Sequence, residues 1–271
     1  MPGQVHFQKR AQIATLTLDN PEARNAFDLE MCLELRRRWG EIARDPEIRC
    51  AIVTGAGSKA FCTGFDVRAT AAGDSQQLAK LPRREAPFGR ITALQNRCWK
   101  PVITAVNGAC VGGGLHFVAD SELVIASETA TFFDTHVALG MVSALEPAGL
   151  ARRIPLEAVF RLALLGGAER MSAQEALRIG LVGEVLPPQQ LQQRALALAA
   201  LIARHSPTAL MRSKRAIWQS LDGGLEAGLD SAHAELLAHA DHPDQREGPQ
   251  AFFEKRPAQW TPPPDADAGG A

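Results

Sequence analysis

Three short and almost wholly apolar runs constrain this chain most. They are Cys50-Ala51-Ile52-Val53-Thr54, Pro101-Val102-Ile103-Thr104-Ala105-Val106 and Leu123-Val124-Ile125-Ala126. Strands without polar alternation must be covered on both faces, as in parallel sheets flanked by helices. Helix-like segments separate the runs, so the first half reads β, α, β, α, β, α, β. Ahead of them, residues 5–18 alternate polar and β-prone residues around Lys9-Arg10-Ala11-Gln12, which predicts a hairpin ended by Asp19-Asn20-Pro21. Asp28 is placed to cap a helix reaching about Ala43, with Met31, Leu35 and Ile42 on its apolar face. After Glu146 the period becomes helical, over 155–165, 173–179, 188–205 and 207–221, and only 181–186 has strand character. The fold class is α/β, with a helical C-terminal region and a disordered proline-rich tail.

Composition excludes several functions. The chain has 271 residues and a formal net charge of -1, which gives no general attraction to nucleic acid or acidic membranes. Any bound anion must therefore meet a few placed cations. Five cysteines with no C-x-x-C pair suit a reducing compartment better than a disulfide framework. The longest apolar stretch, 195–203, is about half of what a membrane span needs, and the N-terminus lacks signal-peptide character. A cytoplasmic protein is expected.

Two glycine-rich turns carry the strongest functional signal. One is Thr63-Gly64-Phe65-Asp66; the other is Asn107-Gly108 through Gly112-Gly113-Gly114-Leu115, between a buried strand and an apolar helix. Three successive glycines cost backbone entropy, so they suggest positions where a Cβ cannot be accommodated. N–H groups converging from two such turns would form an oxyanion hole; close packing of a helix on a strand is the plainer explanation. The G-x-G-x-x-A match at Gly55–Ala60 lacks the helix a dinucleotide site needs. His239-x-x-His242 has no further metal ligands nearby, and no G-x-S-x-G motif occurs.

Five segments in this order resemble the crotonase (enoyl-CoA hydratase/isomerase) superfamily. They are Asn20-Pro21 with Arg24-Asn25-Ala26; Phe61-Cys62-Thr63-Gly64-Phe65-Asp66; Asn107-Gly108 to Gly114; Met171-Ser172-Ala173-Gln174-Glu175-Ala176 with Gly180-Leu181-Val182; and Phe252-Phe253-Glu254-Lys255-Arg256. The resemblance spans residues 5–258. It implies the crotonase (ClpP-like) ββα spiral over residues 1–198, a helical trimerisation region over 199–260 and a tail over 261–271. It also implies an oxyanion hole from the N–H groups of Phe65 and Gly113, holding the carbonyl oxygen of an acyl-CoA thioester. Ala26, Asp66 and Val67 would line the coenzyme A path. Arg24 and Lys255 would meet its phosphates, Lys255 from a neighbouring subunit. Asp120 would be structural.

The chain departs from that family at the catalytic positions. Where hydratases carry two glutamates, it has His116, three residues after Gly113, and His136, on aligning Ala130-Thr131-Phe132. Each imidazole sits near neutrality and suits acid–base work, with at least one serving as a neutral base. His116 in a first helical turn is expected to be kept neutral by the helix dipole. Glu146 is a further candidate, or else a carboxylate at the start of the next helix.

The expected function is enoyl-CoA hydratase/isomerase-like chemistry through a stabilised thioester enolate, as in fatty acid metabolism. Coenzyme A is part of the substrate and no other cofactor or metal is expected. The expected assembly is a homotrimer or hexamer, formed through residues after Glu146, where Leu196, Leu198 and Leu201 need cover. Two alternatives remain open: a carbon–carbon bond hydrolase or lyase of the same fold, and a catalytically weak CoA-ester-binding protein.

Overall fold

The computed structural model describes residues 3–66 and 80–263. Residues 69–87, whose Ala-, Gln-, Arg- and Pro-rich composition predicts a surface loop, lie for the most part outside the described residues, as does the tail from residue 264. The expected hairpin forms from β1 (Gln4–Arg10) and β2 (Ile13–Asp19). Its tight turn places Ala11 and Gln12 at φ 48° and 68°, the left-handed geometry that matches strand twist. Asp28 caps α1 (Leu29–Arg44) by accepting from Met31 N at 2.9 Å, and Met31, Leu35 and Ile42 are buried.

The three apolar runs become β3 (Cys50–Gly55), β5 (Val102–Val106) and β7 (Leu123–Ser127). They lie at the centre of a six-stranded sheet of order β1-β2-β3-β5-β7-β10, where β10 is Glu184–Leu186. All pairings beyond the hairpin are parallel. Helix α2 (Leu115–Asp120) follows the glycine turn and is tied to β5 by Thr104 Oγ1, which donates to Phe117 O at 3.1 Å.

A second sheet was not evident in the sequence. It has order β4-β6-β8-β9, from Ala60–Cys62, Ala109–Val111, Thr131–Phe133 and Met171–Ser172. These strands are two or three residues long, too short for a period to register. Both glycine-rich turns leave this sheet, Thr63–Asp66 after β4 and Gly112–Gly114 after β6, and β4 and β6 are neighbours. That adjacency positions the site.

The remaining helices are α3 (Leu145–Leu150), α4 (Leu156–Leu164), α5 (Ala173–Arg178), α6 (Pro188–Ala203), α7 (Pro207–Ser220), α8 (Leu225–Leu237) and α9 (Asp244–Glu254). The expected boundary at 198/199 falls inside α6. There Leu191, Ala195 and Ala199 pack on Ile52, Ile103 and Ile125 of the large sheet. Leu198 packs against the same cluster, while Leu196 and Leu201 stay about half exposed at 49% and 50%. α7 is docked on the core by Lys214, which donates to Lys100 O at 2.9 Å and pairs with Glu122 at 3.1 Å. α8 and α9 were not expected; α9 carries Pro249 in its interior, which masks it in the sequence. All five cysteines are buried and free, and no described helix is long and apolar enough to cross a membrane.

Candidate active site

The two glycine turns meet backbone to backbone. Gly64 has φ +86°, and a Cβ there would lie 2.9 Å from Gly113 N and 3.2 Å from Val111 O. A Cβ on Gly113 would lie 2.7 Å from Phe27 Cζ. Only glycine allows this approach. Phe65 is held beside it: Phe27 and Phe65 form an isolated parallel bridge, with Phe27 N donating to Gly64 O at 2.9 Å and Asp66 N to Phe27 O at 3.0 Å.

The segment carrying Arg24 and Ala26 is fastened to the same place. Asn25 Nδ2 donates to Ala56 O at 3.0 Å and Ala60 O at 2.9 Å, and Thr63 Oγ1 donates to Ala23 O at 3.0 Å. Ala26 is buried and Arg24 exposed beside this junction. Val67 lies outside the described residues. Lys255 is exposed at the end of α9, and among the described residues its side chain makes no hydrogen bond or ion pair.

Both histidines are paired with carboxylates. His136 Nδ1 lies 2.6 Å from Asp134 Oδ1, and the same oxygen accepts from His136 N at 2.8 Å. The other oxygen of Asp134 accepts from Ser143 Oγ at 2.5 Å. The His136 ring rests on the glycine turn, its Cε1 3.4 Å from where a Cβ of Gly112 would be. The Asp134 hydrogen bond raises the His136 pKa above the ordinary imidazole value; burial opposes it and Glu146 adds to it. Burial pushes Asp134 up, but the hydrogen bonds from His136 and Ser143 prevail and hold it below the usual carboxylate range.

His116 and Glu146 form the second pair, Nε2 to Oε1 at 3.3 Å, with each side chain 9% exposed. Burial disfavours the His116 imidazolium, but the Glu146 hydrogen bond and charge, aided by Asp120, outweigh it and raise the pKa. The helix dipole is therefore not the dominant influence on His116: a carboxylate in contact pulls toward the imidazolium more strongly than the partial charge of a six-residue helix opposes it. Glu146 is lowered in turn, since His116 more than offsets the cost of burial. Asp120 is structural in position, accepting from Thr92 Oγ1 at 2.6 Å.

A cavity of about 450 Å3 opens on His116, with Gln95, Trp99, Leu145 and Trp218 also in its wall. A cavity of about 720 Å3 between α4 and α5 is lined by none of the candidate residues. Its arginines face glutamates, as in the Arg161–Glu169 and Arg178–Glu175 pairs. Sequence reading missed Gln95 and Ser143, which carried no local signal; the nearness of Asp134, two residues from His136, is legible in the sequence, and the two do meet.

A family model described as enoyl-CoA hydratase/isomerase matches residues 8–263. An (E)-benzylidenesuccinyl-CoA hydratase from Thauera aromatica is 36% identical over 90% of this chain and 93% of its own length. A carnitinyl-CoA dehydratase from Salmonella typhi is 32% identical over 96% and 99%. Among solved structures, an enoyl-CoA hydratase/isomerase from Mycobacterium paratuberculosis superposes with TM-score 0.85 at 35% identity, covering 96% of this chain and 98% of that one. An enoyl-CoA hydratase from Bacillus anthracis gives TM-score 0.86 at 29% identity, over 97% and 100%. With the paired glycine turns, the two largely parallel sheets and the C-terminal helices in place, the chain belongs to the enoyl-CoA hydratase/isomerase family, within the crotonase superfamily.

Proposed function

We propose that the protein adds water to, or removes it from, an acyl-CoA thioester, using histidine–carboxylate pairs in place of two glutamates. The observation that carries this reading is the backbone contact of Gly64 with Gly113, with His136 resting on the same glycine turn. The N–H groups of Phe65 and Gly113 would hold the thioester carbonyl oxygen. In the hydration direction, water loses a proton to a base and its oxygen bonds to the β carbon. The π electrons move onto the thioester, and the oxyanion hole stabilises the resulting enolate. A proton then returns to the α carbon.

His136 with Asp134, and His116 with Glu146, are the two units available to move these protons. Arg24, Ala26, Asp66 and Val67 would follow the coenzyme A chain, and Lys255 of a second copy would reach its phosphates. No cofactor beyond the coenzyme A of the substrate enters the scheme. The names of the relatives, a hydratase and a dehydratase of CoA esters, favour water addition over carbon–carbon cleavage.

The test is a panel of 2-enoyl-CoA thioesters, alkyl and aryl, followed by loss of the enoyl absorbance. The expectation is hydration by the wild type, and a kcat lower by roughly 10²- to 10⁴-fold in His136→Ala and Glu146→Ala. Cleavage of a β-diketone lacking CoA, with no turnover of any thioester, would overturn the proposal.

A further inference from the structure

We propose that Gln95 fixes His116 as the neutral imidazole protonated on Nε2, so that Glu146 serves as the carboxylate base with His116 and Gln95 as its positioning residues. This rests on the hydration reading above. It makes His136 the proton donor, and it explains why a histidine stands where the family carries a glutamate.

The orientation of one amide decides the tautomer. Gln95 Oε1 accepts from Ile91 N at 2.8 Å and from Thr92 N at 3.2 Å. Backbone N–H groups only donate, so the atom facing them must be the amide oxygen. The usual ambiguity between oxygen and nitrogen in a glutamine is thereby removed. The amide nitrogen is left facing His116 Nδ1 at 3.3 Å. An amide nitrogen only donates, so Nδ1 must accept and carries no proton. The remaining ring proton sits on Nε2, which lies 3.3 Å from Glu146 Oε1.

The turn bearing Gln95 is anchored on the helix of His116 itself. Gln95 N donates to Thr92 Oγ1 at 3.3 Å, and Thr92 Oγ1 donates to Asp120 Oδ2 at 2.6 Å, at the end of α2. Thr92 is buried, and the amide cannot rotate without freeing two backbone donors. Several charged groups face His116. Glu146 comes from α3, Asp120 from its own helix and His136 from the segment after β8, while Arg83 and Arg152 stand in the cavity wall. Glu146 and Asp120 favour an imidazolium, but its added proton would have to lie on Nδ1, against the amide N–H. The opposition at Nδ1 keeps the imidazole neutral. A neutral partner leaves Glu146 more basic than a fixed imidazolium would. With both ring nitrogens of His116 engaged, the group left to take a proton from water is Glu146.

Long-range 1H–15N spectra of the labelled wild-type protein read the tautomer directly. The His116 signal is identified by its loss in His116→Asn. The expected pattern at neutral pH is one protonated ring nitrogen, Nε2; a doubly protonated ring would overturn the proposal. Gln95→Glu is the matching variant, because it keeps an oxygen for Ile91 and Thr92 and replaces only the donor with an acceptor. His116 should then become doubly protonated. kcat should fall by about tenfold with KM little changed, and the acidic limb of the pH profile should move down by about one unit, because an imidazolium beside Glu146 weakens the base. A folded Gln95→Glu with an unchanged limb would reduce Gln95 to a turn anchor and overturn the proposal. If that variant does not fold, the wild-type spectrum decides alone. An Nε2–H signature in a protein that turns over no CoA thioester would sink the hydration reading while upholding the tautomer.

Discussion

Asp134→Asn isolates the charge behind His136 while keeping its geometry. Oδ1 of Asp134 faces the obligate donor His136 N at 2.8 Å, so an asparagine must place its amide oxygen there. That oxygen still accepts from Nδ1, and the amide nitrogen can donate to Ser143 Oγ in place of the present bond. What changes is one buried negative charge, on a side chain 1% exposed. Hydrogen bonds to charged groups contribute about 1.5–3 kcal/mol and neutral ones about 0.5–1.5, so the loss is about 1–1.5 kcal/mol. At about 1.4 kcal/mol per unit, the His136 pKa should fall by about one unit. The sign follows from its role. The pairing raises this pKa, and the protonated ring is the proton donor, so activity is present below that pKa and lost above it. The basic limb of kcat should therefore move down by about one unit, costing about tenfold above the limb and little below it. Steady-state hydration measured across the pH range, with a melting curve to confirm folding, is the assay. An unmoved basic limb in a folded variant would refute the assignment of His136 as the donor.

Gly64→Ala should lower kcat by about 10²- to 10³-fold, the usual cost of displacing an oxyanion donor, because its Cβ would press on Gly113 N at 2.9 Å. The left-handed backbone adds roughly 1–2 kcal/mol of strain, visible as a lower melting temperature; wild-type kcat in this variant would contradict the placement of the hole. Light scattering should report a trimer or hexamer, since Phe160 and Leu164 on α4, Leu236 on α8 and Phe252 and Phe253 on α9 are 55% to 82% exposed and need cover. A monomer at micromolar concentration would contradict it. Lys255→Ala should weaken binding of a CoA thioester without changing kcat; equal affinity by calorimetry would remove Lys255 from the phosphate site.

What the sequence made legible was whatever local chemistry decides. β3, β5 and β7 were readable because burial on both faces writes a continuous apolar run. Asp28 was readable because a cap is a contact three residues long. The second sheet was not, because strands such as Cys110 with its two neighbours are shorter than the period that would reveal them. The glycine turns could be read as close approaches, yet Gly64 meeting Gly113 depends on β4 pairing with β6, which no local pattern encodes. His116, His136 and Glu146 were found through resemblance, but their charge states were not. The dipole argument for His116 named the wrong influence, because Glu146, thirty residues on, folds back against the ring and outweighs the dipole. Gln95 was invisible for the same reason: its partner His116 lies 21 residues away and across a turn.

The account turns on a thioester carbonyl oxygen held between the Phe65 and Gly113 N–H groups, and one titration tests this most directly. Acetoacetyl-CoA enolises readily, and its enolate absorbs in the near ultraviolet where the keto form does not. Titrated into the wild-type protein, it should give a saturable enolate difference spectrum, reduced in Gly64→Ala and unaffected by an equal concentration of free acetoacetate. A protein that binds acetoacetyl-CoA with no enolate band, or that binds no CoA thioester at all, would contradict the oxyanion hole and the mechanism built on it.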